Sequence, residues 1–202
     1  MRTEHCPLCG KENPVVGNPL RALAEAPGKL IALVRGLTRA QLLKQPAPGK
    51  WCIQEIVCHL ADAEIANAWR YRKIFTEDEF HISTYDQERW AVAHQYRRQD
   101  LRLALEQFRA LRARSVALMK LIGRKAWARM AVHPTLGRLS LEQIIVHQVH
   151  HSKNHLAQIE RIRKGFASRE PGTPPSGGVA ESRVPRPTAG GPRGKRRGRS
   201  GK

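Results

Sequence analysis

His147-Gln148-Val149-His150-His151-Ser152-Lys153-Asn154-His155-Leu156-Ala157-Gln158-Ile159 holds four of the nine histidines of a 202-residue chain. Apolar residues recur around it at Leu141, Ile144, Ile145, Leu156, Ile159 and Ile162, so the stretch reads as part of one long amphipathic helix. His151 and His155 are four apart and stand one above the other on one side of that helix. Two imidazoles so placed can reach one metal ion. With the apolar face centred near Leu141 and Ile159, His155 falls about 40° from that centre, His151 about 80°, His147 about 120°, and His150 nearly opposite. The 151/155 pair therefore lines the edge of the core, while His150 is expected to face solvent or a partner, and His147 to serve as a neighbouring or surface residue. His147 and His155 lie about 12 Å apart along the axis, too far to share one ion by themselves. A third ligand has to come from another helix.

His59 is the histidine with matching placement. From Trp51 onward Ile53, Ile56, Val57, Leu60, Tyr71, Ile74 and Phe75 repeat with helical period. His59 falls about 80–100° to one side of that apolar centre. Ala63, Ala66 and Arg70 share its side, and small residues beside a histidine leave room for more than packing. Glu55 and Asp62, four before and three after His59, are in reach of it or of a group it binds. His59, His151 and His155 are thus the expected metal ligands. Glu55 and Asp62 are candidates to accept a ring N–H, and Arg70 to hold an acidic group of a substrate.

The remaining elements frame these two helices. Residues 27–35 carry a first helical pattern, with Pro27 suited to its first turn; an earlier turn over residues 19–24 is compatible. Thr38-Arg39-Ala40-Gln41 is a capping box opening a short helix, which Gln45-Pro46-Ala47-Pro48-Gly49 ends. Residues 77–94 read as a connection with a short helical piece at Asp86-Gln87-Glu88-Arg89-Trp90. Another long helix is predicted over residues 97–122, with Leu101, Leu105, Phe108, Leu111, Ser115, Leu118 and Ile122 inward. Arg98, Arg102, Arg109, Arg112 and Arg114 fall mostly on its other faces, and Gly123 ends it. His133-Pro134-Thr135-Leu136-Gly137 is a loop. Ser140-Leu141-Glu142-Gln143 is a second capping box, opening the histidine-bearing helix, which is expected to stop at Gly165. No strand pattern intervenes. Four amphipathic helices with one longer connection predict an all-α fold, a four-helix bundle.

Charge is unevenly distributed along the chain. The net charge is +19, and from Gly165 onward nine Lys and Arg residues face only Glu170 and Glu181 in a Gly/Pro/Arg-rich context. Such a segment buries too little apolar surface to offset its ordering entropy, so residues 166–202 are expected to be a disordered basic tail. Cys6-Pro7-Leu8-Cys9-Gly10 has the form of one knuckle of a zinc ribbon, but a ribbon needs a second pair at similar spacing. Cys52 and Cys58, with five residues between them inside a helix start, are not that pair. Residues 1–22 therefore read as an N-terminal leader. There is no run of about 18 apolar residues to cross a membrane. The N-terminus has no apolar signal-peptide region, and with four cysteines a reducing cytoplasm is expected.

Trp51-Cys52-Ile53-Gln54-Glu55-Ile56-Val57-Cys58-His59-Leu60-Ala61-Asp62-Ala63-Glu64 resembles the second helix of the DinB-like superfamily. Tyr85-Asp86-Gln87-Glu88-Arg89-Trp90, His133-Pro134 with Gly137, and residues 151–163 resemble later motifs of that family, in the same order. The resemblance spans about residues 23–165. It implies a bundle of up-down-down-up connectivity that is often a homodimer. It also implies one divalent metal ion held by His59, His151 and His155, and nitrogen ligands make zinc or nickel the expected ion. Some relatives are transferases or isomerases that use a low-molecular-weight thiol as co-substrate. Cys52 departs from the Ser or Thr that usually caps this helix, and the N-terminal Cys pair and basic tail lie outside the family pattern.

Three neutral imidazoles leave an ion with open positions, as catalytic sites do and structural sites do not. The first functional expectation is a metal-dependent enzyme acting on a small-molecule substrate by transferring a thiol to an electrophile. A metal-dependent hydrolase is the second. From another class comes a non-catalytic metal-binding or stress-response module whose tail gives weak, non-specific nucleic-acid binding.

Overall fold

The structure, a computed structural model, describes residues 2–167. Asn18 accepts a hydrogen bond from the Arg21 N–H and Pro19 follows it, so α1 (Pro19–Val34) begins well before Pro27. The expected helix start at Pro27 is corrected: Pro27 lies inside α1 and is buried. Leu23 and Leu30 flank it on one face, and both are buried. Their burial outweighs the one helix hydrogen bond that a proline removes.

The two capping boxes form as read. Gln41 Oε1 accepts the Thr38 N–H at 2.9 Å ahead of α2 (Arg39–Leu43). Gln143 Oε1 accepts the Ser140 N–H at 2.9 Å ahead of α6 (Leu141–Ala167), which runs past Gly165. Between them lie α3 (Ile53–Thr76), α4 (Gln87–Ala93) and α5 (Leu101–Ile122). The α5 start is later than predicted. Asp100 takes the Arg102 and Leu103 N–H groups at 2.7 and 3.3 Å, leaving residues 96–98 as a separate 3-10 turn.

The expectation of an all-α chain without strands is corrected as well. β1 (Thr3–Cys6) and β2 (Lys11–Pro14) pair antiparallel. A three-stranded sheet is built from β3 (Phe80–His81), β4 (Met130–His133) and β5 (Gly137–Ser140) in the order β3-β4-β5. These strands are four residues or fewer, too short for a two-residue period to stand out. The second sheet is held by Ala131 and Leu139, which are buried against Phe80, Trp127 and Leu141 at one end of the bundle.

α1 and α3 each pack against both α5 and α6. Apolar side chains fill this bundle in two clusters. One holds Leu30, Ile53, Ile56, Leu60, Phe108, Ile159 and Ile162. The other holds Leu23, Tyr71, Ile74, Val116, Met119, Ile145 and Val149. On each of α3, α5 and α6 buried polar residues lie between the clusters: Glu64 and Asn67, Arg112 and Ser115, and Ser152, with His59 beside them at the margin of the first cluster. Arg112 was expected on an outer face, and the structure corrects this. Its guanidinium is 2.8 Å from Glu64 Oε2, lies near Ser152 Oγ, and stacks over Phe108. The inward stripe of α5 runs through Ala104, Phe108, Arg112, Ser115, Val116 and Met119, rotated from the predicted leucine stripe because a buried carboxylate on α3 attracts Arg112. No helix among the described residues is long and apolar enough to cross a membrane.

Candidate metal centre

α3 presents His59 and α6 presents His151 and His155 to one point at the edge of this polar layer. One ligand nitrogen from each ring lies within 4.8 Å of the other two. The Nε2 atoms of His59 and His151 are 3.0 Å apart. Ring centroids are 4.9 Å apart for His59 and His155 and 4.7 Å for His151 and His155. Two imidazole nitrogens on a tetrahedral zinc would be about 3.3 Å apart, so only a small adjustment separates these rings from a coordinating set.

The electrostatics suit that role. Burial holds the His59 ring neutral, with its pKa lowered to about 3, and the neighbouring His155 adds to the effect. Burial and then the rings of His155 and His59 push His151 well below its ordinary value. His155 is lowered by burial while its hydrogen bond to Gln158 works the other way. Neutral imidazole is the ligand form. Gln158 Oε1 accepts from His155 Nδ1 at 2.9 Å, which leaves the His155 Nε2 lone pair free. Trp51 packs against His59 with ring centroids 5.0 Å apart and is tied by its indole N–H to Glu88 at 2.9 Å. The donor set, three neutral nitrogens without a carboxylate, fits a first-row divalent ion.

The two carboxylates named from the sequence do not meet the rings. Glu55 accepts the Cys52 N–H at 2.8 Å and lies 3.6 Å from Arg97, so it caps α3. Asp62 accepts the Tyr96 hydroxyl at 2.8 Å and is 3.2 Å from His94 Nδ1. Nδ1 of His59 and of His151 has no protein hydrogen-bond partner among the described residues. Arg70 is partly engaged. It donates to the Ser83 carbonyl at 2.8 Å and lies over the Tyr85 ring, beside a cleft of about 410 Å³ lined by Ala66, Trp69, Tyr85 and Trp90. Burial, then the neighbouring His150, and last the Arg70 charge keep His147 neutral.

His150, expected at the surface, is buried instead. The β1–β2 hairpin covers that side of α6, and Glu4 Oε1 sits 3.4 Å from His150 Nε2. A helical wheel cannot foresee this cover, because it comes from the far end of the chain.

The DinB superfamily profile matches residues 22–159. The chain belongs to the DinB superfamily. Among relatives, this DinB-superfamily chain is 28% identical over 146 residues to a Bacillus subtilis protein named "Putative metal-dependent hydrolase YfiT", covering 72% of this chain and 82% of that one. An Oceanobacillus iheyensis protein, also named "Putative metal-dependent hydrolase", is 26% identical over 152 residues, or 75% of this chain and 88% of the relative. The solved structure of YfiT superposes with a TM-score of 0.72 at 26% identity, spanning 78% of this chain and 93% of that chain. It is described as having "an unusual four-helix bundle topology". This DinB-superfamily chain and YfiT are therefore helical bundles of one fold. The match begins at residue 22, so it leaves the β1–β2 hairpin outside.

Proposed function

We propose that this protein is a metal-dependent enzyme that joins a low-molecular-weight thiol to an electrophilic small molecule. The observation that carries the reading is the convergence of His59, His151 and His155 from two helices, all held neutral. A divalent ion, zinc or nickel foremost, supplies a Lewis acid that lowers the pKa of a nucleophile presented to it. His59, His151 and His155 hold that ion through nitrogen. Gln158 fixes the tautomer of His155. Trp51 shields His59 from solvent, and Arg70 offers a cation to an acidic group of the thiol or the substrate.

The positions of Glu55 and Asp62 favour a thiol over water as nucleophile. Both carboxylates are committed elsewhere, so neither is placed to take a proton from water at the rings. A thiol ionises near pH 8.5 even without an ion, whereas water depends wholly on one, which brings it to about 7. Hydrolysis is the second reading, favoured by the names of the relatives. The up-down-down-up connectivity, a homodimer, a cytoplasmic setting and weak nucleic-acid binding through residues 166–202 belong to the same proposal; the last of these falls almost wholly outside the described residues.

Two measurements test it. Metal analysis of the purified protein beside His59→Ala should show loss of one ion per chain in the variant. Metal-loaded protein mixed with monochlorobimane should form conjugate only when a low-molecular-weight thiol is added, and His151→Ala should lose this. Ester or amide cleavage without any thiol would replace the transferase reading with the hydrolase one. An unchanged number of bound ions in both variants would remove both.

A further inference from the structure

The hairpin that the superfamily match leaves out carries a donor set of its own. β1 ends at Cys6 and β2 begins at Lys11, so Cys6 closes the first strand and Cys9 lies within the turn between them. The turn closes with the Gly10 N–H donating to the Cys6 carbonyl at 2.8 Å, and Gly10 takes a φ of 64°, which glycine adopts without strain. Backbone N–H groups of Leu8 and Cys9 point at the Cys6 sulfur, and that of Lys11 at the Cys9 sulfur. The Asn13 side-chain amide approaches Cys9 Sγ at 3.8 Å. Burial still raises the Cys6 thiol against these donors, whereas for Cys9 the Lys11 N–H and the Cys6 and Asn13 side chains outweigh burial and lower it.

The third donor comes from α6. His147 Nδ1 lies 3.4 Å from Cys6 Sγ, although the two residues are 141 positions apart in the chain. Cys6, Cys9 and His147 bring their ligand atoms within 4.8 Å of one another. Sulfur and nitrogen on a common tetrahedral zinc would be about 3.6 Å apart, close to the spacing seen. One turn along α6, Glu4 and His150 hold the same hairpin down. Cys52 and Cys58 provide the contrast. Burial pushes their thiols up to about 11 and about 12, and neither has a histidine near its sulfur among the described contacts.

We propose that Cys6, Cys9 and His147 form a second metal site, which binds zinc and pins the N-terminal hairpin to α6. On binding, each thiol loses its proton to water as a sulfur–metal bond forms, so one ion releases two protons; His147 contributes the Nδ1 lone pair and keeps its hydrogen on Nε2. The fourth position is left to a small ligand from solvent. This site shares no residue with the three-histidine centre and stands whether or not that centre is catalytic.

Cobalt separates the two sites, because only thiolate ligands give a sulfur-to-cobalt charge-transfer band in the near ultraviolet. The full-length protein loaded with cobalt should show that band and bind two ions per chain. The double variant Cys6→Ser/Cys9→Ser should lose the band and retain one ion. His59→Ala should keep the band while also binding one ion, and His147→Ala should weaken it. In unmutated protein, added zinc should protect Cys6 and Cys9 from iodoacetamide, as read by mass spectrometry. Absence of the band in the full chain, equal alkylation with and without zinc, or the same cobalt stoichiometry in the cysteine double variant would each overturn the proposal.

Discussion

Arg112 illustrates how much a single side chain can decide in this bundle. It is buried with Glu64 between two apolar clusters, where either charge alone would be strongly disfavoured. Arg112→Ala is expected to destabilise the protein by about 3–5 kcal/mol, because it strands a carboxylate in the core. The double change Glu64→Gln/Arg112→Met should cost clearly less; urea unfolding of the three proteins measures the difference. Gln158 acts on a smaller scale. Its oxygen orients His155, so Gln158→Leu should weaken metal binding by about 10–100-fold without unfolding the helix, as read by competition with a chelator. The pairing of His59 with His151 and His155 could be argued from spacing alone. The Glu64–Arg112 pair could not, since an arginine on an amphipathic helix reads as a surface residue until its partner is known.

Among the elements, local signals fared best where side chain and backbone interact within one turn. Both capping boxes and the approximate extents of α3 and α6 are legible for that reason. Asp100 occupies the same kind of capping position and sets the start of α5 at Leu101, later than the start at residue 97 that apolar periodicity predicts. Asp100→Ala should lower stability by about 1–2 kcal/mol and fray the first turn of α5; thermal melts and amide exchange at Arg102 and Leu103 report this. The five short strands escaped detection. Their pairing joins segments such as Phe80–His81 and Met130–His133, distant in sequence and individually without pattern.

At the scale of the whole molecule, the buried histidines couple stability to pH. Unfolded histidines take up protons near pH 6.5, whereas in the folded chain His59 does so near 3 and His147 near 4. Between those values the unfolded state binds more protons, so stability is full above pH 6.5 and falls as the pH drops through that range. Chelator-treated protein should melt at a lower temperature at pH 5 than at pH 7.5. His59→Leu should flatten the dependence. Metal should counter the effect until protons displace it.

The amino-acid sequence by itself determined the helices, their caps and the side of α3 and α6 on which three histidines lie. These are local properties, written in periods of a few residues and in hydrogen bonds within one turn. Tertiary structure alone decided which carboxylates were free to assist the rings, where Arg112 went, and that a hairpin from the N-terminus meets His147 and His150 across the length of the chain. Those outcomes depend on contacts between residues far apart in sequence, and no repeat or spacing records them.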